Sequence, residues 1–330
     1  MTAMRLKVIL LTIVLGVLAD LTVFFIFTYP VHTETETDQA RLNFQAGAGG
    51  ANTQSEPENL GGQAFLLPVS GSDYSLARDF NVSEPQISAK AGVLYDLRSG
   101  RLLFAKNPQW RLPIASVAKL MTAVVVIENL NLGEIYTVRP EDVNAAGLGA
   151  DLYKDEKIKA GDLLKIMLIK SSNDAALTFA SAAQKRGIDF VGKMNEEATA
   201  LGMGNTHFAD PAGLNDSETF STAGDLVKLV RRALGYPLIS EILTAKAADV
   251  SSLDGGIKHH LKTTDQLLGQ ISSIILGKTG FTDSALGTIA LAVGVNGGKD
   301  TLISVVLGSN DRFGETKSLI EWGKKAYQWK

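Results

Sequence analysis

Cysteine is absent from the 330 residues, and histidine occurs only four times. A thiol nucleophile, a disulfide and a cysteine-based zinc site are thereby excluded, while an oxidising compartment is permitted but not required. His259 and His260 are neighbours in sequence, so they do not face each other on a helix or strand. No acidic or histidine ligand set with metal spacing surrounds them. Neither a metal nor a cofactor is expected. An excess of one sign of charge is also lacking: the net charge is -3 and no Lys/Arg tract stands out in the body of the chain, which argues against nucleic acid as a partner. What remains is an ordinary composition, 45% hydrophobic and 20% charged, enough for one large domain or two closely joined ones.

The chain opens with the basic residues Arg5 and Lys7, followed by a nearly continuous apolar run from Val8 to Tyr29 that Asp20 interrupts. About twenty such residues suffice to span a bilayer, so residues 1–29 are expected to be an uncleaved signal-anchor. The cytoplasmic membrane would then be a partner, and the body would lie on its extracytoplasmic face. The small residues before Asp20 leave a cleaved, secreted form as the alternative. Residues 30–82, rich in Gly, Ala, Thr, Asn and Glu, read as a flexible stalk.

The folded part is expected over 83–330. AGVLYDLRSGRLLFAKN reads as a hairpin turning at Arg98-Ser99-Gly100. Helical spacing follows in LMTAVVVIENL, in GDLLKIMLIK, in the segment after Ser171, in IDFVGKMNEEATALGM, in STAGDLVKLVRRALG with Ser221 or Thr222 as its cap, and in PLISEILTAKA. Near the end, IILGKTGFT, ALGTIALAVGVN and TLISVVLGS read as strands, and ETKSLIEWGKKAYQW as a closing helix. Strands at both ends with helices between them predict an α+β sandwich. Its antiparallel sheet of about five strands is flanked by helices, with a mainly helical lobe inserted at roughly 116–250.

Three short motifs carry the chemistry. In PIASVAKLMT, Ser116 and Lys119 stand three residues apart at a helix start, a hydroxyl beside an amine. A serine acyl-transfer enzyme without a nearby histidine needs such a lysine as base. Alone the pair means little, since S-x-x-K occurs by chance about once in a chain of this size. Ser171 and Asn173 break the chain between two helices, so both can face one cleft, although either could equally be a helix cap. Lys278-Thr279-Gly280 opens a strand and is rarer, about one chain in ten by chance. It brings a positive charge, a hydroxyl and a residue that lets a ligand approach the backbone closely.

In this order the three motifs resemble the penicillin-recognising serine enzymes. The words LPIASVAKLMTA, IKSSNDAALTFA, NTHFADPAGLND followed by STAGDL, and GKTGFTDSA narrow the resemblance to the D-alanyl-D-alanine carboxypeptidases of low molecular mass, over about residues 85–328. It implies a serine β-lactamase/transpeptidase-like fold and an enzyme that removes the terminal D-alanine from peptidoglycan stem pentapeptides, with β-lactam antibiotics as covalent inhibitors. Ser116 would be the nucleophile, Lys119 its base, Ser171 the proton relay and Asn173 an orienting residue. Lys278 would strengthen the positive field, Thr279, Gly280 and Arg312 would bind the substrate, and the amides of Ser116 and Phe281 would form the oxyanion hole. Three positions depart from the family: Ser172 stands for a usual Gly, Asp265 for a usual Asn, and Leu286 for a Gly, which puts rate and substrate preference in question. No E-x-x-L-N word follows Asn173, which disfavours a β-lactamase. A D,D-endopeptidase cutting cross-links shares every motif and stays as the alternative; an inactive penicillin-binding wall scaffold is the alternative of a different class.

Overall fold

The computed structural model describes residues 75–143 and 151–330. Its centre is an antiparallel sheet built from the two ends of that span: β1 (Ala91–Asp96), β2 (Arg101–Lys106), β3 (Ile274–Thr282), β4 (Leu286–Val295) and β5 (Asp300–Ser309). The strand order is β3-β4-β5-β1-β2, so β3 is an edge strand. Side chains alternate across the two faces of each inner strand. On β5, Ile303, Val305 and Leu307 join the core beneath the helical lobe, whereas Leu302 and Val306 join a second core on the opposite face. On β4, the small Ala290 and Ala292 face the lobe, and Ile289, Leu291 and Val293 face away. Burial on both faces explains why these strands read as continuous apolar runs.

The lobe comprises α1 (Lys119–Asn129), α2 (Ala160–Ile169), α3 (Asn173–Gln184), α4 (Phe190–Ala200), α5 (Ala223–Leu234) and α6 (Pro237–Thr244). α1 is its axis, buried from Lys119 through Val126. Thr222 caps α5 by accepting from the Asp225 amide at 3.0 Å. α7 (Arg312–Ala326) covers the other sheet face, with Leu319, Ile320 and Trp322 in the second core. The architecture is therefore a mixed α/β sandwich with a helical lobe.

Several expectations need correction. The closing helix stops at Ala326, and Tyr327–Trp329 form a strand paired antiparallel with Leu76–Arg78. An alternating Tyr-Gln-Trp suits a half-buried strand better than another helical turn. Leu76–Arg78 lies inside the expected stalk, so folded structure begins before residue 83; residues 30–74 of that stalk lie outside the described residues. The membrane anchor is withdrawn, and with it the membrane partner and the anchored extracytoplasmic localisation. Among the described residues no helix is long and apolar enough to cross a membrane. The longest of them, α7, has 15 residues and rises about 22 Å, short of the roughly 30 Å a span requires. The run from Val8 to Tyr29 lies outside the described residues.

Candidate active site

Ser116 sits in a single 3-10 turn, Ala115–Ala118, that leads directly into α1. In a 3-10 turn residues i and i+3 eclipse, which brings the Lys119 Nζ to 2.8 Å from the Ser116 Oγ. The turn begins from Ala115 at φ 46°, a left-handed conformation that costs a non-glycine residue about 1–2 kcal/mol. Lys119 is fully buried. Its Nζ also lies 2.8 Å from the Asn173 Oδ1 and 2.7 Å from the Ala212 carbonyl. Burial holds its pKa down to about 7, against a smaller upward pull from Asp210 and Asp151.

Asn173 is the first residue of α3, and Ser172 caps that helix by accepting from the Ala175 amide at 3.2 Å. The cap explains the departure at Ser172: its φ of -60° asks nothing of glycine, and its hydroxyl is used. The strained position is Ser171, at φ 65°. Its Oγ accepts from the Lys278 Nζ at 2.7 Å, across the cleft from β3.

Lys278 is almost fully buried, and its Nζ also donates to the Thr279 carbonyl at 2.8 Å. Burial first, and then the charge of Lys119, push its pKa well below that of an ordinary lysine; Asp265 opposes this. Gly280 is required where it stands, because a Cβ there would lie 2.5 Å from the Thr288 Oγ1 and 2.8 Å from the Ser116 amide nitrogen. Phe281 is 59% exposed at the rim. The Arg312 guanidinium lies 5.9 Å from the Phe281 ring centroid and 4.5 Å from that of Phe313. Its Nε is buried with no hydrogen-bond partner among the described residues.

A cleft of about 230 Å³ joins these groups. Ser116, Ser171, Asn173, Thr279, Gly280, Phe281 and Arg312 line it, and Lys119 and Lys278 are buried behind its walls. Two larger hollows, of about 640 and 500 Å³, contain none of these side chains. The arrangement can deprotonate a hydroxyl, present a cation to an anionic group and offer an open strand edge to a peptide.

The structure adds residues that the motifs do not name. Thr264 lines the cleft, its Oγ1 2.7 Å from that of Thr279. Gly213 and Leu214 line it from the loop 210–215, and Ala212 supplies a partner for Lys119. The D-P-A-G turn chemistry was the available signal for that loop. Asp265 is buried; its Oδ1 accepts from the Leu267 amide, and its Oδ2 has no partner among the described residues. Leu286 takes φ 55°, the conformation that a glycine adopts without cost.

The D-alanyl-D-alanine carboxypeptidase family, peptidase S11, matches residues 78–311. The D-alanyl-D-alanine endopeptidase of Pseudomonas aeruginosa is 30% identical over 243 residues, 72% of this chain and 78% of the relative. That of Escherichia coli is 30% identical over 266 residues, 78% and 86% respectively. Among solved structures, the Streptomyces K15 DD-transpeptidase superposes with a TM-score of 0.67 at 29% identity, covering 73% of this chain and 99% of its own.

Proposed function

This chain belongs to the D-alanyl-D-alanine carboxypeptidase family, peptidase S11, a serine hydrolase acting on peptidoglycan stem peptides, and we propose that it cleaves D-alanyl bonds in peptidoglycan cross-links through an acyl-enzyme on Ser116. The observation that carries the chemistry is the set of three partners around the Lys119 Nζ. A neutral amine has two N–H bonds and one lone pair. Donating to the Asn173 Oδ1 and the Ala212 carbonyl leaves the lone pair for the Ser116 hydroxyl proton.

The Ser116 Oγ attacks the D-alanyl carbonyl as its proton passes to Lys119. The oxyanion is held by the amides of Ser116 and Phe281. As the C–N bond breaks, the proton now on Lys119 passes through the Ser171 hydroxyl, which Lys278 holds in place, to the leaving amine, and Lys119 is neutral again. Water then attacks the ester, its proton goes to Lys119, and Ser116 recovers its own. Thr279 and the Arg312 side chain, which both line the cleft, suit a carboxylate on the leaving side. Such a carboxylate exists on a terminal D-alanine and equally on a cross-linking diamino acid that keeps its own carboxyl group. The endopeptidase relatives favour the cross-link; the family's own description favours release of terminal D-alanine as the second reading.

A labelled penicillin should form an adduct on Ser116, located by peptide mass, and its absence from folded protein would sink the acyl-enzyme. Cleavage of cross-linked dimers is then compared with D-alanine release from a pentapeptide. Fast D-alanine release with slow dimer cleavage would select the second reading.

A further inference from the structure

We propose that Asp210 is a positioning residue of this active site, its carboxylate folding the loop 210–215 so that the Ala212 carbonyl aims the Lys119 lone pair at Ser116. One oxygen of Asp210 accepts from the amides of Ala212 at 2.8 Å and Gly213 at 2.7 Å. The Leu214 amide reaches both oxygens, at 3.1 and 3.0 Å. The other oxygen accepts from the Asn215 amide at 2.9 Å and, at 3.4 Å, from the Thr219 hydroxyl. Four consecutive amides thus converge on one carboxylate, which fixes the direction of the carbonyls between them.

Those carbonyls are what the nucleophile helix rests on. The Pro211 carbonyl accepts from the buried Thr122 hydroxyl at 2.5 Å, and the next carbonyl, that of Ala212, accepts from the Lys119 Nζ at 2.7 Å. Gly213, at φ 76°, presses on the residue before the nucleophile: a Cβ there would lie 2.0 Å from the Ala115 carbonyl oxygen. Asp210 therefore governs both the third partner of Lys119 and the backbone from which Ser116 projects. Its charge also acts on Lys119 directly. The charged groups felt by that amine are Asp210, the weaker Asp151, itself paired with Lys170 at 2.6 Å, and Lys278.

The inference rests on the reading of Lys119 as the base, and one set of measurements separates the two. The rate of Ser116 acylation by a fluorescent penicillin is followed against pH in the full-length protein and its variants, counted per folded, titratable site. Wild-type protein whose acylation does not fall on the acid side of pH 7 would sink the base reading itself. With that limb present, Asp210→Asn is expected to lower the plateau about tenfold or more, since one oxygen becomes a donor facing donors. It should also move the acid limb to lower pH by about one unit, because the ammonium loses a stabilising anion. Asp210→Glu keeps the charge but displaces it, so its limb stays in place while its plateau falls about tenfold. Asp189→Ala removes the α4 cap elsewhere and controls for destabilisation alone; its plateau and limb should match wild type. A folded Asp210→Asn protein with an unshifted limb and a wild-type plateau would overturn the proposal. If that variant does not fold, wild-type acylation by Asp210→Glu overturns it instead.

Discussion

On the helical side of the cleft the working groups hang from irregular backbone, with Ala115 and Ser171 both in the left-handed region. On the sheet side, Lys278 to Phe281 run along an unbroken antiparallel ladder with β4, from the Leu276–Ala292 pair to the Thr282–Leu286 pair. Each wall buries one lysine amine, but the helical wall gives its lysine two oxygen acceptors besides the nucleophile, whereas the sheet wall gives Lys278 only the Thr279 carbonyl, its other partner being the Ser171 hydroxyl across the cleft. The difference assigns the costs. A reactive pair needs an orientation that regular helix does not supply, so backbone strain collects there, while both walls bear the desolvation of a lysine. A surface that receives an extended peptide needs even spacing, which an edge strand supplies without strain.

The comparison breaks most visibly at Lys119. Lys119→Met should cut acylation about 10³-fold while raising the melting temperature, because a buried amine of depressed pKa is replaced by an apolar chain of similar length. Loss of activity without a gain in stability would show that the helical wall carries no such cost. Next comes Gly280→Ala, which tests whether the regular wall tolerates change. The added methyl meets Thr288 and the Ser116 amide, so acylation should fall about 100-fold with the fold intact by circular dichroism.

The acid side of the pH profile follows in size. Activity requires neutral Lys119, whose pKa is about 7. The rate should therefore fall about tenfold per unit below pH 7 and level off above it. A plateau reaching down to pH 5 would remove Lys119 as the base. Arg312→Gln sharpens the sheet side: kcat/KM should drop roughly tenfold to a hundredfold for a substrate with a free carboxylate and little for its amide. Equal losses on both would assign Arg312 to packing against Phe281 and Phe313.

The smallest effect is expected at Asp265. Burial raises its pKa above the ordinary carboxylate value, more than the Leu267 amide and then Lys278 and Arg312 lower it. Folding therefore favours its protonated form, and the stability that form gives is lost as pH rises through the folded-state pKa. Asp265→Asn should stabilise the protein at neutral pH by about 1 kcal/mol, with no gain in acid, as read by urea denaturation at two pH values.

Much of this was legible in advance where local sequence decides local structure. S-V-A-K, S-S-N and K-T-G name their own geometry once strands and helices are placed, and Thr222 announces its helix. What escaped depends on residues far apart. Leu76–Arg78 is too short to read as a strand until Tyr327–Trp329 is seen beside it. Thr264 has no significance until Thr279 stands opposite it, and the Ala212 carbonyl leaves no mark in a side-chain alphabet. Apolarity alone likewise suggested a membrane span at Val8–Tyr29, which no described helix supports.

The order of the sheet has a consequence in time. Strand β1 pairs with β2 within a few residues, but its other neighbour, β5, is encoded about 200 residues later. At roughly 5–20 residues per second of synthesis, the early hairpin waits on the order of ten seconds or more with one long apolar edge unpaired. Assembly of the K-T-G strand against the serine helix must come later still, after β4 and β5 have closed the gap. The nascent chain should therefore depend on chaperones in proportion to how slowly the segment between the two halves is translated, and synonymous codon changes within residues 107–273 would alter yield without altering a single side chain.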